Sequence, residues 1–167
     1  IDMDKYSLES VLRKGAELVK RKGIKCLVID PYNKVRDINA MSDDVNRYTM
    51  DYLSKIEQFC RKYDVLTFIV AHPTKMYKGQ DGKMEEPNMY NIKGGGEWYD
   101  ASYHGLLVHR DYEKKNTKVK VLKVKFQNLG ENGGEAFFTW EPKSGSYIPE
   151  VNVIDKNKDV GSLPWEN

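Results

Sequence analysis

The stretch Lys25-Cys26-Leu27-Val28-Ile29-Asp30-Pro31-Tyr32-Asn33 decides how the chain is read. An apolar, partly β-branched run stops at an aspartate followed by proline, the pattern of a buried strand that delivers one carboxylate to the carboxyl edge of a sheet. In open α/β sheets that edge is where ligands bind. A plain strand and Asp-Pro turn, with Asp30 merely capping the loop, fits the same residues. The choice between the two depends on whether the rest of the chain supplies a matching site.

Upstream, Ser7 is an N-cap, and Leu8, Val11, Leu12, Leu18 and Val19 follow at helical spacing until Arg21-Lys22-Gly23, where cations precede a terminating glycine. Downstream, Ser42-Asp43-Asp44 caps a second helix with Val45, Tyr48, Tyr52, Leu53, Ile56, Phe59 and Tyr63 on its apolar face. A second apolar run, Val65-Leu66-Thr67-Phe68-Ile69-Val70-Ala71, ends at His72-Pro73. Two helix-then-strand units in succession predict a parallel sheet with right-handed crossovers.

Residues 74–93 are polar and aperiodic, with Gly79, Gly82 and Pro87, a loop of a length usually reserved for function. Gly94-Gly95-Gly96 leads into a short helix over 97–103 and a strand at Leu106-Leu107-Val108, with His104 and His109 flanking it in structural roles. Val119 to Phe126 and Glu135 to Trp140, joined by a Gly/Asn turn, predict an antiparallel hairpin. From about Glu150 to Asn167 the sequence is polar apart from Leu163-Pro164-Trp165, and it reads as a disordered tail behind a domain of residues 1–149.

The 167 residues suit one domain with a real core, and 40% hydrophobic against 31% charged residues describes a globular chain. No apolar stretch approaches the ~20 residues of a membrane span, so a soluble protein with no membrane partner is expected. A net charge of +2 is too small to argue for nucleic acid alone. Cys26 and Cys60 lack metal-type spacing and read as buried free thiols of a cytoplasmic protein. The chain opens at Ile1 without a signal peptide, as a piece of something longer would.

Asp30 and His72 each end a predicted buried strand, so a parallel sheet points both out of one edge. A carboxylate there suits Mg²⁺, and an imidazole can donate a hydrogen bond to phosphate; alternatively His72 bonds only to the loop backbone. Residues 110–125 hold Arg110, Lys114, Lys115, Lys118, Lys120, Lys123 and Lys125 against Asp111 and Glu113. Strand alternation puts Lys123 and Lys125 on one face, which is either a solvated face or a phosphate-facing patch. The 74–93 loop carries Lys75, Lys78, Lys83 and Lys93 with Tyr77 and Tyr90 interleaved. That composition can track a single strand by charge and stacking, although Glu85 and Glu86 oppose it and a solvated loop fits too. The chain contains no Gly-x-x-x-x-Gly-Lys-Ser/Thr sequence.

The order Val28-Ile29-Asp30-Pro31, His72-Pro73 with Lys75, a long loop, Gly94-Gly95-Gly96, Asp100-Ala101, His109-Arg110 and Lys123-Val124-Lys125-Phe126 resembles the C-terminal motor domain of hexameric replicative DNA helicases. The Twinkle and phage primase-helicase branch, related to bacterial DnaB, is the nearest likeness, and it covers about residues 5–149. The resemblance implies an α/β, RecA-like fold of the P-loop NTPase type, with a mainly parallel sheet, flanking helices and a C-terminal antiparallel hairpin, truncated at its N-terminus. It implies ATP and Mg²⁺ as cofactors, with Asp30 as the Walker B metal-site aspartate and His72 as a γ-phosphate sensor. Lys123 and Lys125 fall at a pair that reaches a neighbouring subunit's nucleotide, and Lys75, Lys78, Lys83 and Lys93 belong to the segment facing single-stranded DNA. Lys125 stands where the family has an arginine finger, so either it acts as a point charge or Arg110 supplies the trans-acting cation. A homo-hexamer is implied for the full-length protein, and an inactive monomer or weak oligomer for this chain alone. A non-catalytic module that binds single-stranded nucleic acid and a RecA-type recombinase are the competing classes.

Overall fold

The computed structural model describes residues 7–35, 44–75, 85–112 and 114–150. They form a mixed α/β chain that divides into two compact units, Ile1–Gly105 and Leu106–Asn167.

The first unit is built from two helix-then-strand pairs. Helix α1 (Leu8–Lys22) starts at Ser7, whose hydroxyl accepts from the Ser10 amide, and stops at Gly23 in the left-handed conformation, φ 68°. Strand β1 (Cys26–Ile29) follows. Helix α2 (Val45–Tyr63) is capped by Asp44, which accepts from the Arg47 amide at 3.0 Å; Ser42 and Asp43 lie outside the described residues. It ends at Asp64, also left-handed at φ 51°, whose carboxylate takes Lys25 Nζ at 2.6 Å. An aspartate tolerates that conformation better than most side chains, and here it also ties the end of α2 to the residue before β1.

Strand β2 (Leu66–Ile69) pairs with β1 in parallel, as expected, with Cys26 opposite Leu66 and Ile29 opposite Ile69. The helices cover one face of this sheet. Gly15 of α1 lets Phe59 and Leu27 approach to ordinary contact, where a Cβ would stand 3.0 Å from the Phe59 ring. The residues buried on α2 are Thr49, Tyr52, Leu53, Ile56 and Phe59, a stripe at i, i+3, i+4 spacing. Thr49 was not on the expected stripe; its hydroxyl is satisfied by the Val45 carbonyl at 2.8 Å, which permits its full burial.

Burial on both faces, the sequence expectation for β1 and β2, does not hold. Cys26, Val28, Leu66, Phe68 and Val70 alternate onto the face away from the helices and are exposed. Cys26 is therefore an exposed thiol rather than a buried one, while half-buried Cys60 meets the Thr67 hydroxyl at 3.1 Å.

A three-residue 3-10 turn at Met89–Asn91 gives structure to the end of the long loop, and Met89 is buried. Helix α3 (Gly95–Ala101) follows, with Trp98 buried. The core of this unit closes around aromatic rings. Tyr32 meets Tyr52 and Trp98 edge-on at 5.0 and 4.8 Å.

The second unit is the antiparallel part. Strands β3 (His104–Asp111), β4 (Asn116–Val124), β5 (Glu135–Glu141) and β6 (Ser146–Pro149) make a sheet in chain order. The expected hairpin is β4 and β5, with Lys120 opposite Glu135 and Asn116 opposite Thr139. Both histidines, His104 and His109, lie within β3 rather than flanking it. Strand β6 was not anticipated; it turns back through Gly145 at φ 64°, and Trp140 packs on Tyr147 at 5.0 Å.

The Tyr52 hydroxyl is buried without a hydrogen-bond partner among the described residues. Burial pushes this phenol well above its ordinary value, with smaller contributions from Tyr32, Tyr48 and Glu9. A raised folded-state pKa favours the folded state fully below about pH 10, the unfolded tyrosine value, and that contribution is lost as pH climbs beyond it. Tyr52→Phe removes an unsatisfied donor and should raise stability by about 1 kcal/mol at neutral pH. It should also flatten the alkaline decline, both read from urea unfolding at neutral pH and above pH 10.

Candidate functional site

The carboxyl edge of the parallel sheet is set by two backbone hydrogen bonds. Val70 donates to the Ile29 carbonyl at 2.9 Å and accepts from the Tyr32 amide at 2.8 Å. These bonds bracket Asp30 and Pro31, joined by a cis peptide, and leave Val70 level with Asp30. His72 lies two residues beyond Val70, so both predicted residues emerge at one edge, and both are exposed.

Next to this edge is a cleft of about 250 Å³ lined by Tyr32, Asn33, His72, Pro73, Thr74, Ile92 and Lys93. It brings together two of the expected residues, His72 and Lys93; Asp30 stands at the edge and is not part of the lining. Tyr32, Asn33, Thr74 and Ile92 were not anticipated. Their signal was proximity alone, since Tyr32 and Thr74 directly follow the two strand-ending Asp-Pro and His-Pro pairs.

The walls of the cleft are fastened to the core. The amide and hydroxyl of Thr74 both donate to the Asn91 carbonyl, at 2.7 and 2.9 Å. Asn88 and Asn91 cap the intervening turn reciprocally: Asn88 Oδ1 accepts from the Tyr90 amide at 2.9 Å and Asn91 Oδ1 from the Asn88 amide at 2.7 Å. Trp98 Nε1 donates to the Lys93 carbonyl at 3.1 Å. The glycine triplet explains itself here. Gly94 adopts φ +83° and a Cβ on it would fall 2.4 Å from Thr49 Oγ1; one on Gly95 would fall 2.3 Å from the Tyr90 carbonyl oxygen. Among the described residues, no neighbour lies within 4 Å of a Cβ on Gly96.

An imidazole, an amide and an ammonium around one small cleft are groups that can donate to anionic oxygen, phosphate included, whereas the Thr74 hydroxyl proton is already given to the Asn91 carbonyl. Among the described residues no three His, Cys, Asp or Glu are gathered to cage a metal. A single edge carboxylate nevertheless fits Mg²⁺, which commonly takes one or two carboxylates and fills its other positions with water and substrate phosphate.

The remaining expected residues divide as follows. Lys75 is exposed just after Thr74, while Lys78 and Lys83 lie outside the described residues. Arg110, Lys123 and Lys125 belong to the second unit. Arg110 is exposed on β3, its guanidinium 5.6 Å from the Tyr112 ring. Strand β4 ends at Val124, so Lys125 lies in an exposed bend and does not continue the strand alternation. Lys123, inside the strand, is only 9% exposed.

No protein-family model matches the sequence. Over 146 residues the chain is 29% identical to a Twinkle homolog protein, chloroplastic/mitochondrial, of Arabidopsis thaliana, a match to 84% of this chain and 20% of that protein. The chain therefore spans about a fifth of the length of this curated relative. In fold it is similar to a solved DnaB-like replicative helicase described with its interactions with primase, at a TM-score of 0.68 and 16% identity over 85% of this chain and 34% of that one. The chain is thus similar in sequence to part of a Twinkle homolog and in fold to part of a DnaB-like replicative helicase.

The glycine geometry separates neighbouring substitutions. Gly94→Ala combines a left-handed backbone with a collision against a buried side chain and should cost about 2 kcal/mol or more. Gly96→Ala, in a helix with open space around it, should leave stability unchanged or raise it by about 0.5 kcal/mol. Chemical denaturation of the two variants side by side measures the difference.

Proposed function

We propose that this chain, matching part of a DnaB/Twinkle-type helicase domain, works in a motor that couples ATP hydrolysis to movement along single-stranded DNA. The observation that carries the reading is the parallel register, with Asp30 and His72 leaving one sheet edge beside a cleft of hydrogen-bond donors. In this reading Asp30 holds Mg²⁺ through water, and His72 donates to the terminal phosphate. Mg²⁺ when bound neutralises charge on the phosphate oxygens. Lys125 in its exposed bend, or Arg110 on β3, acts on the nucleotide of a neighbouring subunit in a hexamer, and Lys75 and Lys93 meet the DNA backbone.

The sequence has no phosphate-cradling Gly-x-x-x-x-Gly-Lys-Ser/Thr run. We therefore read the chain as half of a nucleotide site and expect it not to turn over ATP alone. Two free thiols, one exposed, suit a reducing compartment, with which the cytoplasm and the interior of an organelle are both compatible. No helix among the described residues is long and apolar enough to cross a membrane.

In the full-length protein, Asp30→Asn should lower Mg²⁺-dependent ATPase by about a hundred-fold without changing the thermal unfolding midpoint. Unchanged turnover would remove Asp30 from the site. Lys125→Ala should lose a similar factor while nucleotide binding persists, and Lys125→Arg, which restores a bidentate fork, should match or exceed the wild-type rate. If Lys125→Ala hydrolyses ATP normally, the trans-acting cation is another residue, with Arg110 the next to substitute.

A further inference from the structure

Tyr90 is an exposed aromatic residue held with unusual firmness. The residue is 58% exposed, yet one face of its ring lies on Tyr99 in a stacked arrangement, centroids 5.1 Å apart and planes 19° from parallel. Its backbone is fixed on three sides. The amide is held by Asn88 Oδ1, the carbonyl lies against Gly95 at a distance only glycine permits, and the following residue, Asn91, carries both bonds from Thr74.

A surface tyrosine that only fills space gains nothing from such support. A ring fixed in orientation, backed by a second ring and open on its far side is what a base needs in order to stack without an ordering penalty. The charges around it suit the same ligand. Lys93 lies three residues along the chain, with its carbonyl anchored by Trp98, and exposed Lys75 follows Thr74, which is bonded to Asn91. Exposed lysines adjoining the turn that carries an exposed ring match the alternation of phosphate and base in a single strand, whereas a duplex presents no open base face.

We propose that Tyr90 is a base-stacking platform for single-stranded DNA, with Tyr99 as its support and Lys75 and Lys93 neutralising the flanking phosphates. The inference deepens the proposed function by naming a contact to the base rather than to the backbone, and it rests on that reading for the identity of the ligand. The ring contributes stacking and no hydrogen-bond readout, so the contact tolerates any base.

The test is fluorescence anisotropy of the full-length protein with labelled oligothymidylate and with an abasic oligonucleotide of equal length. Wild-type protein should prefer oligothymidylate by about ten-fold, the range of one stacked base. Tyr90→Ala should lose that preference and keep the wild-type salt dependence, while Tyr90→Phe should retain both. Lys93→Ala should weaken binding to both oligonucleotides and reduce the salt slope by about one. If Tyr90→Ala still discriminates against the abasic strand, or if wild-type protein binds the two equally, the platform is refuted and the proposed motor stands. If wild-type protein binds no single-stranded DNA, the platform and the DNA part of the proposed function fall together. Thermal unfolding of Tyr90→Ala, expected to match the wild type, separates lost stacking from lost fold.

Discussion

The burial of Tyr32 holds the first unit and its candidate site in one frame. Its backbone amide closes the parallel ladder onto Val70, and its ring sits edge-on to both Tyr52 of α2 and Trp98 of α3. Edge-to-face aromatic pairs contribute about 0.5–1.5 kcal/mol each beyond the area they bury. One residue, two positions past Asp30, thus joins the end of β1 to two helices. The same interaction leaves the Tyr52 hydroxyl without a partner among the described residues, a local cost accepted by the packing.

From Tyr32 the constraint passes to the cleft through Trp98. The indole nitrogen fixes the Lys93 carbonyl, and the glycine triplet lets α3 come close enough to do so, with Gly94 against Thr49 and Gly95 against the Tyr90 backbone. Thr74 closes the circuit by bonding to Asn91. His72, Tyr90 and Lys93 are therefore positioned by apolar burial and backbone hydrogen bonds, and among the described residues no side-chain hydrogen bond of theirs is needed to hold them. Sites held in this way are preorganised, because the side chains that would meet substrate do not also have to hold the fold.

The sequence was most legible where a signal is local. Ser7, Gly23 and Asp44 marked helix ends because capping acts within a few residues. The two apolar runs ending in Asp-Pro and His-Pro located the sheet edge, and with it Asp30 and His72. Contacts distant in sequence were not legible. An apolar run does not say whether one or both faces of a strand are covered, which is why exposed Cys26, Val28 and Phe68 read as core. The need for glycine at 94 and 95 was not legible, because the atoms that demand it, Thr49 Oγ1 and the Tyr90 carbonyl, come from elsewhere in the chain. Strand β6 was hidden by its length, four residues with one apolar pair, and became a strand only by pairing with Trp140 and its neighbours.

The lysine-rich run of the second unit shows why charge counted along a sequence overstates charge presented to a ligand. Strand geometry sends Lys118 and Lys120 to one face, where both reach the Glu135 carboxylate of β5, at 3.5 and 3.1 Å. Lys123, on the opposite face by alternation, is nearly withdrawn from solvent, and Lys125 lies past the end of the strand. Four lysines that look equivalent in a linear reading thus occupy three different environments. Where β4 ends, rather than the residues themselves, decides which of these lysines lies on the strand and which in the exposed bend.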